Sequence, residues 1–203
     1  MNSDRQVSTS PHTDCGIPAI GEIPWGSHFC HFYRGKGELV DSLVPYFEAG
    51  LQNNERCLWI TAQPFVAEEA RAELERRVPH LTGLIERGSI AIRNFEDWYA
   101  PGSKQGDVSQ AWIRQEAHAL ADGFSGLRVA GNAGFLEREH RLAFSDYERK
   151  VNKLFEGRRI VALCSYDLRQ CQATDIFEVV RNHGFTIDFR DGLWEVIEPR
   201  PPR

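Results

Sequence analysis

The feature that most constrains the fold is a regular alternation of short apolar runs with longer segments of helical spacing. Runs of the length of buried strands occur at residues 28–33, 57–61, 89–93, 127–131 and 159–164. Segments whose apolar residues recur every three or four positions follow them at 37–53, 67–77, 107–122, 138–155 and 174–183. Strands that alternate with helices form a mostly parallel sheet covered on both faces. The sequence therefore predicts an α/β fold.

Both ends of the sequence differ from this pattern. Segments 186–189 and 194–197 flank Asp191-Gly192, which predicts a closing β-hairpin. Residues 1–21 are rich in Ser, Thr, Pro and Asp, which predicts a disordered lead-in. Residues 199–203 consist of Pro and Arg and are predicted to be a tail. We therefore expect one folded domain over residues 22–198.

Charge and hydropathy argue against several classes of partner. A formal net charge of −5 gives no basic face for direct nucleic-acid binding. No apolar run approaches the roughly 20 residues of a membrane span, and the first residues lack the apolar core of a signal peptide. The five cysteines are odd in number, which favours free thiols over a disulfide framework. We therefore expect a cytoplasmic protein that is not bound to a membrane.

The junction after the first long strand lacks a working phosphate loop. A P-loop, G-x-x-x-x-G-K-[ST], holds phosphates with its backbone and Lys, and Mg²⁺ with its hydroxyl. Here the junction is Phe32-Tyr-Arg-Gly-Lys-Gly-Glu38, which retains Gly35-Lys36 but has Gly37 in place of the hydroxyl residue. We therefore expect no Mg²⁺-nucleotide binding. A divergent ATPase-like nucleotide-binding protein is a second alternative for the function of the chain.

Several segments together resemble a known family. They are His28-Phe-Cys-His-Phe-Tyr33, Glu38 to Gly50, Cys57-Leu-Trp-Ile-Thr61, Gly126-Leu-Arg-Val129, Tyr147-Glu148 and Leu163-Cys-Ser-Tyr-Asp167. In order and spacing they resemble the MEDS family, the sensory domain of methanogen and methylotroph regulators of the DcmR type. The resemblance covers about residues 25–198.

The resemblance implies a fold and a role. The family is similar in layout to RecA/KaiC-type domains that lack the P-loop, and it is believed to sense small molecules, often hydrocarbon derivatives. Its signal passes to transcription regulators, histidine kinases or sigma-factor control proteins. Because no DNA-binding or kinase segment accompanies the sensor, we expect a non-enzymatic domain that acts on a separate signalling partner. Homodimerisation is left open.

A parallel sheet places ligand sites beyond the carboxyl ends of its strands. Tyr33, Thr61 and Tyr166 occupy such positions in three segments that we expect to be neighbours. An aromatic wall with a few polar anchors suits a small organic ligand. The predicted ligand-binding residues are His28, His31, Tyr33, Thr61, Cys164, Tyr166 and Asp167.

The cluster of His28, Cys30 and His31 also carries donors suited to a metal ion or haem iron. Side chains alternate along a strand, so His28 and Cys30 should share one face while His31 lies on the other. A regular strand therefore brings only two of the three donors to one ion. We expect no metal, haem or other cofactor, and a metal- or haem-dependent sensor that uses these residues is the alternative.

Two further groups of ionisable residues are interpreted as structural. Glu137, Glu139, His140 and Glu148 lie in a predicted helix whose charged residues are spaced as on a solvated face. His183 lies in the last turn of a predicted helix, where the dipole favours a cation.

Overall fold

The computed structural model describes residues 10–63, 65–95, 105–132, 141–190 and 192–198. Its strands are β1 (His12–Asp14), β2 (Glu22–Pro24), β3 (His28–Tyr33), β4 (Arg56–Thr61), β5 (Ile90–Asn94), β6 (Leu127–Asn132), β7 (Ile160–Asp167), β8 (Thr186–Arg190) and β9 (Leu193–Ile197). Its helices are α1 (Lys36–Gln52), α2 (Ala67–Arg77), α3 (Leu81–Glu86), α4 (Gln105–Ala121), α5 (Arg141–Phe155) and α6 (Ala173–Asn182).

Strands β3 to β9 form one sheet in the order β5-β4-β6-β7-β3-β8-β9. Neighbouring strands are parallel except for β8 and β9, which pair as an antiparallel hairpin. The predicted mostly parallel α/β sheet with a C-terminal hairpin is therefore confirmed. Strands β1 and β2 form a separate small antiparallel sheet.

The register of the two central strands decides which side chains can meet. His28 on β3 is aligned with Ala162 on β7, and Cys30 is aligned with Cys164. Aligned residues of parallel strands point to the same face, so His28 and Cys164 share one face of the sheet. His31 lies on the other face, as the alternation along the strand predicts.

The two faces of the sheet carry different cores. Helices α1, α2 and α3 cover one face, where Phe29 and Trp59 are buried with α1 residues such as Phe47. Helices α4 and α5 cover part of the other face through side chains such as Trp112 and Val151. Helix α6 covers the remainder of that face through Ile176, Val179 and Val180, next to Cys30, Phe32 and Tyr166.

A buried arginine attaches the segment before β3 to the sheet. Arg128 on β6 and Glu55 are 0% and 1% exposed, and Arg128 Nε donates to Glu55 Oε2 at 2.6 Å. The same guanidinium donates to the backbone carbonyls of Asp14 (2.6 Å) and Cys15 (3.1 Å). The prediction of a disordered lead-in is therefore wrong for residues 10–21, which contain β1 and the buried Cys15 and Ile17.

Other differences from the sequence prediction are small. Helix α3 was not predicted, because six residues that include Gly83 are too few to show helical periodicity.

All five cysteines are free thiols. Among the described residues, no helix combines the length and the apolar character required to cross a membrane.

Candidate functional site

Four ionisable side chains from four elements meet beneath helix α5. They are His28 at the start of β3, Glu148 on α5, Cys164 on β7 and His183 directly after α6, and one donor atom from each lies within 4.8 Å of the others. His28 Nε2 is 3.1 Å from Glu148 Oε2 and 3.4 Å from Cys164 Sγ. His183 Nε2 is 3.5 Å from the same Glu148 oxygen. We call these four residues the buried cluster.

Local structure holds each member of the buried cluster in place. The sheet register brings His28 beside Cys164, as described above. On α5, Glu148 lies three residues before Val151 and seven before Phe155, so it shares their buried stripe. His183 Nδ1 lies 2.7 Å from the carbonyl oxygen of Val179, one turn earlier on α6.

Burial controls the protonation of the buried cluster. Desolvation lowers the pKa of His28 to about 3, against the effect of a hydrogen bond with Asn152. Desolvation also lowers the pKa of His183 to about 3 and raises that of Glu148 to about 7. The pKa of the Cys164 thiol is raised well above its ordinary value, first by burial. At neutral pH both imidazoles are therefore uncharged and the thiol is protonated.

The buried cluster borders a cavity of about 70 Å³ that lies between strands β6 and β7 and helices α4 and α5. His28, Glu148 and Cys164 form its polar end. The remaining wall is mostly apolar and includes Ile60, Trp112, Val129, Tyr147, Val151 and Phe155. The cavity can therefore enclose a small molecule with an apolar body and one polar group.

A hydrogen bond between two helices and a glycine on β6 form two parts of the cavity wall. The indole N–H of Trp112 on α4 donates to the hydroxyl of Tyr147 on α5 at 2.7 Å, which ties the two covering helices together. Opposite them, Gly131 on β6 lines the cavity without a side chain. A Cβ added at Gly131 would meet only the Ile60 carbonyl oxygen, at 4.0 Å.

The structure brings some of the predicted ligand-binding residues to this site. His28 and Cys164 belong to the buried cluster, and the Tyr166 ring packs edge-on to His183 with centroids 5.9 Å apart. Asp167, at the end of β7, is paired with Arg169 at 2.7 Å.

The other predicted residues lie elsewhere. His31 is on the α1 face, where its Nδ1 is 3.1 Å from Ser42 Oγ. Thr61 is also on that face and bonds to the Arg93 carbonyl at 3.2 Å, while Tyr33 is buried in the α1-side core. Tyr33, Thr61 and Tyr166 were expected to be neighbours, but β6 separates β4 from β7, and Tyr166 faces away from the other two.

The metal alternative also named Cys30, which lies outside the buried cluster. Its Sγ is 3.1 Å from Thr186 Oγ1 on β8, the neighbouring strand on the side away from β7. Cys30 shares a face with His28, as predicted, but is directed to a different partner.

For two members of the buried cluster, the role predicted from the sequence differs from the environment found in the structure. Glu148 was assigned to a solvated helix face, but it is 4% exposed. His183 was assigned to the helix dipole, but it is 2% exposed and its ring packs at a tilt against His28, with ring centroids 4.2 Å apart. The sequence pattern that indicates burial of Glu148 is its spacing of three and seven residues from the apolar Val151 and Phe155. The other residues of the predicted acidic stretch, Glu137, Glu139 and His140, lie outside the described residues.

The former phosphate-loop region is occupied by protein carboxylates. The Nζ of Lys36, the first residue of α1, bonds to Glu69 on α2 at 2.8 Å. Glu38 Oε2 accepts the backbone N–H of Arg34 at 2.8 Å, at the N-terminus of α1. A carboxylate therefore occupies the place in which a P-loop would present N–H groups to phosphate.

The fold is similar to that of two solved archaeal proteins. The flagellar accessory protein FlaH from Methanocaldococcus jannaschii is 11% identical, with a TM-score of 0.60 over 92% of this chain and 84% of FlaH. A KaiC-like protein from the hyperthermophile Pyrococcus horikoshii OT3 is 13% identical, with a TM-score of 0.62 over 95% of this chain and 90% of that protein. At such identities the likeness shows the fold alone. No curated protein matches the sequence.

The sequence matches the model of one protein family, described as the methanogen/methylotroph, DcmR sensory domain. The match spans residues 27–184. That span contains the central strands of the sheet and all four residues of the buried cluster. The RecA/KaiC-like layout implied by the sequence resemblance agrees with the two structural neighbours. The chain belongs to the MEDS family of sensory domains.

Proposed function

We propose that this chain is a non-catalytic sensor that binds a small organic molecule in the cavity beneath α4 and α5. The observation that carries the proposal is a cavity of about 70 Å³, whose apolar walls end in the side chains of His28, Glu148 and Cys164. Burial of an apolar body in such a cavity supplies affinity, and a polar end fixes orientation.

The cavity has room for a small organic molecule. Its volume of about 70 Å³ is several times the roughly 10–15 Å³ that one water molecule needs on the same measure, which is enough for a short alcohol or a halomethane. A hydroxyl, carbonyl or halogen at one end of such a molecule would lie against the polar end of the cavity. Small hydrocarbon derivatives are therefore the ligand class we propose.

Helix α6 is the element that we propose carries the signal outward. Its inner residues pack beside Cys30 and Tyr166, and His183 of the buried cluster follows its last turn. Its outer face exposes Phe177, which is 62% accessible. A ligand that displaces His183 would shift this helix, and a separate regulator, kinase or sigma-factor control protein would detect the shift.

The test uses a substitution that fills the cavity from β6, where Gly131 is aligned with Cys164. Gly131→Val would place two methyl groups in open space, because a Cβ there has no atom closer than 4.0 Å. We expect short alcohols, aldehydes or halomethanes to stabilise the wild type by about 2.7 kcal/mol at one hundred times Kd. This corresponds to a rise of roughly 5–10 °C in Tm.

Gly131→Val should abolish the ligand-dependent rise in Tm, measured by thermal unfolding with and without each compound. The matched control is Gly37→Ala in α1, where a Cβ meets no atom within 4 Å and no cavity is involved. That variant should respond as the wild type does. Equal responses of Gly131→Val and wild type, or no response of the wild type to any of these compounds, would refute the proposed cavity.

A further inference from the structure

We propose that the buried cluster, His28, Glu148, Cys164 and His183, is a binding site for one divalent metal ion of the zinc class. This site goes beyond the proposed sensing of an organic molecule and does not depend on it. The expectation that the chain holds no metal considered the donors of β3, namely His28, Cys30 and His31, with Cys164 as a further soft ligand. The structure retains His28 and Cys164 and supplies the other donors from α5 and the end of α6.

The distances within the buried cluster fit a tetrahedral ion. Zinc bonds of about 2.0–2.3 Å place neighbouring ligand atoms about 3.3–3.6 Å apart. The Glu148 oxygen lies 3.1 Å from His28 Nε2 and 3.5 Å from His183 Nε2, and Cys164 Sγ lies 3.4 Å from His28 Nε2. All four donor atoms lie within 4.8 Å of one another. An ion at their centre therefore needs only small side-chain adjustments.

The orientation of His183 directs a lone pair into the buried cluster. Its Nδ1 lies 2.7 Å from the Val179 carbonyl, which can only accept a hydrogen bond, so Nδ1 carries the proton. Nε2 then presents its lone pair toward Glu148 Oε2. A backbone carbonyl that fixes the tautomer of a histidine in this way is the usual outer partner of a metal-bound imidazole.

The buried polar atoms without a hydrogen bond include His183 Nε2 and Glu148 Oε2 of the buried cluster. Both residues are less than 5% exposed, and the two atoms lie 3.5 Å apart. An unsatisfied buried polar atom costs about 1–3 kcal/mol, and two electron-rich atoms facing each other also repel. A cation between them satisfies both atoms at once.

The donor types select the class of ion. One thiolate, two imidazoles and one carboxylate suit Zn²⁺, Co²⁺ or Fe²⁺, whereas Mg²⁺ and Ca²⁺ require oxygen ligands. The thiolate and the carboxylate together carry two negative charges, which balance a divalent ion. The loaded site is therefore neutral overall, as a buried site should be.

A shared proton is the competing account of the same geometry. A protonated Glu148 that donates to either imidazole would also relieve the repulsion, and it would require no ion. The two accounts differ in one respect, because only a metal ion recruits the sulfur of Cys164 as a ligand.

Cobalt titration separates these accounts. Full-length protein is dialysed against a chelator, and Co²⁺ is then added while the near-ultraviolet spectrum is recorded. We expect a thiolate-to-cobalt charge-transfer band that saturates at one equivalent per chain and disappears when Zn²⁺ is added. Cys164→Ser should abolish the band, whereas Cys171→Ser, a half-buried cysteine outside the buried cluster, should retain it.

His183→Gln should weaken Zn²⁺ binding by about 100-fold or more, because even the loss of an outer-shell partner typically costs 10–100-fold. The control is His118→Gln on the exposed side of α4, which should bind as the wild type does. Should a cluster variant fail to fold, the wild-type spectrum alone decides. Absence of the charge-transfer band in the wild type, or its persistence in folded Cys164→Ser, would overturn the proposal.

Discussion

His28 and His31 are three residues apart on β3, yet they have different environments. His28 faces α5 and the buried cluster, whereas His31 faces α1 and bonds to Ser42 at 3.1 Å. The Trp194 ring packs edge-on to His31, with centroids 5.2 Å apart. Because His31 lies outside the buried cluster, its effect on the free energy of unfolding can be measured without changing the cluster.

His31 should make the protein sensitive to acid. Burial, followed by the positive charge of Arg34, lowers its pKa from the ordinary 6.5 to about 3. The folded state therefore excludes a proton that the unfolded chain accepts, and the stabilising contribution is full above pH 6.5 and declines as the pH falls toward 3. Each pH unit in that window costs about 1.4 kcal/mol, or about 2 kcal/mol between pH 7 and pH 5.

Urea unfolding of wild type and His31→Asn at pH 7 and pH 5 measures this contribution. The variant lacks the titrating ring, so it should lose about 2 kcal/mol less than the wild type over that interval. The other buried histidines are unchanged and cancel in the comparison. His118→Asn, at an exposed position of α4, should follow the wild type. If His31→Asn also follows it, His31 does not titrate as its burial requires.

The candidate site was only partly predictable from single residues. His28 was identified as a possible metal donor or hydrogen-bond anchor on the first long strand, and Cys164 because it ends another strand predicted to be central. Glu148 and His183 were not, since the sequence reveals a helix but not which helix covers which part of the sheet. Their role depends on packing between α5, α6 and β3 across more than one hundred residues, and no local pattern encodes that packing.

At the scale of elements, the strands of the main sheet and its helices except α3 were predicted from apolar runs, helical spacing and the Asp191-Gly192 turn. The β1–β2 sheet was not, because its residues are held by the distant Arg128 and Glu55 rather than by their own pattern. Thr13 on β1 donates a hydrogen bond to Glu55, which adds to the attachment. Polar residues that are buried through such long-range contacts resemble a disordered segment when only the sequence is considered.

Gly16 should be essential to the contact between the segment after β1 and helix α1. Gly16 and Gly21 both have positive φ, +80° and +68°. A Cβ on Gly16 would overlap the carbonyl oxygen of Pro45 and lie 2.8 Å from the Cβ of Ala49, whereas a Cβ on Gly21 meets nothing within 4 Å. Gly21→Ala therefore incurs only the backbone strain of about 1–2 kcal/mol.

Gly16→Ala incurs the same strain and also forces α1 away, so we expect it to lower the free energy of unfolding by at least about 2 kcal/mol more than Gly21→Ala does. Denaturant unfolding of the two variants measures the difference. Equal losses in the two variants would show that the Gly16 segment does not pack on α1 as described.

At the scale of the whole molecule, a fold similar to that of a KaiC-like protein has carboxylates at the junction where a P-loop would lie. Glu38 accepts a backbone N–H at the start of α1, and Lys36 is paired with Glu69. A phosphate group at this junction would compete with the Glu38 carboxylate for the backbone N–H of Arg34. Likeness of fold therefore does not carry over the chemistry of a nucleotide site.

We accordingly expect no hydrolysis of Mg²⁺-ATP and no measurable heat of Mg²⁺-ATP binding by isothermal titration calorimetry. Lys36→Ala serves as the control, since it too should show neither hydrolysis nor a heat of binding. Phosphate release by the wild type that Lys36→Ala abolishes would show instead that the residual Gly35-Lys36 pair still works as a phosphate loop.

The order of the strands also has a consequence for synthesis on the ribosome. Strand β3 is the first strand of the large sheet along the chain, but its neighbours are β7 and β8, which begin at residues 160 and 186. While the chain emerges, β3 therefore has no strand partner until β7, which begins at residue 160, has been translated. Such late pairing slows folding and leaves apolar strand edges exposed to other chains. Nascent molecules of this protein should consequently depend on chaperones until β7 emerges.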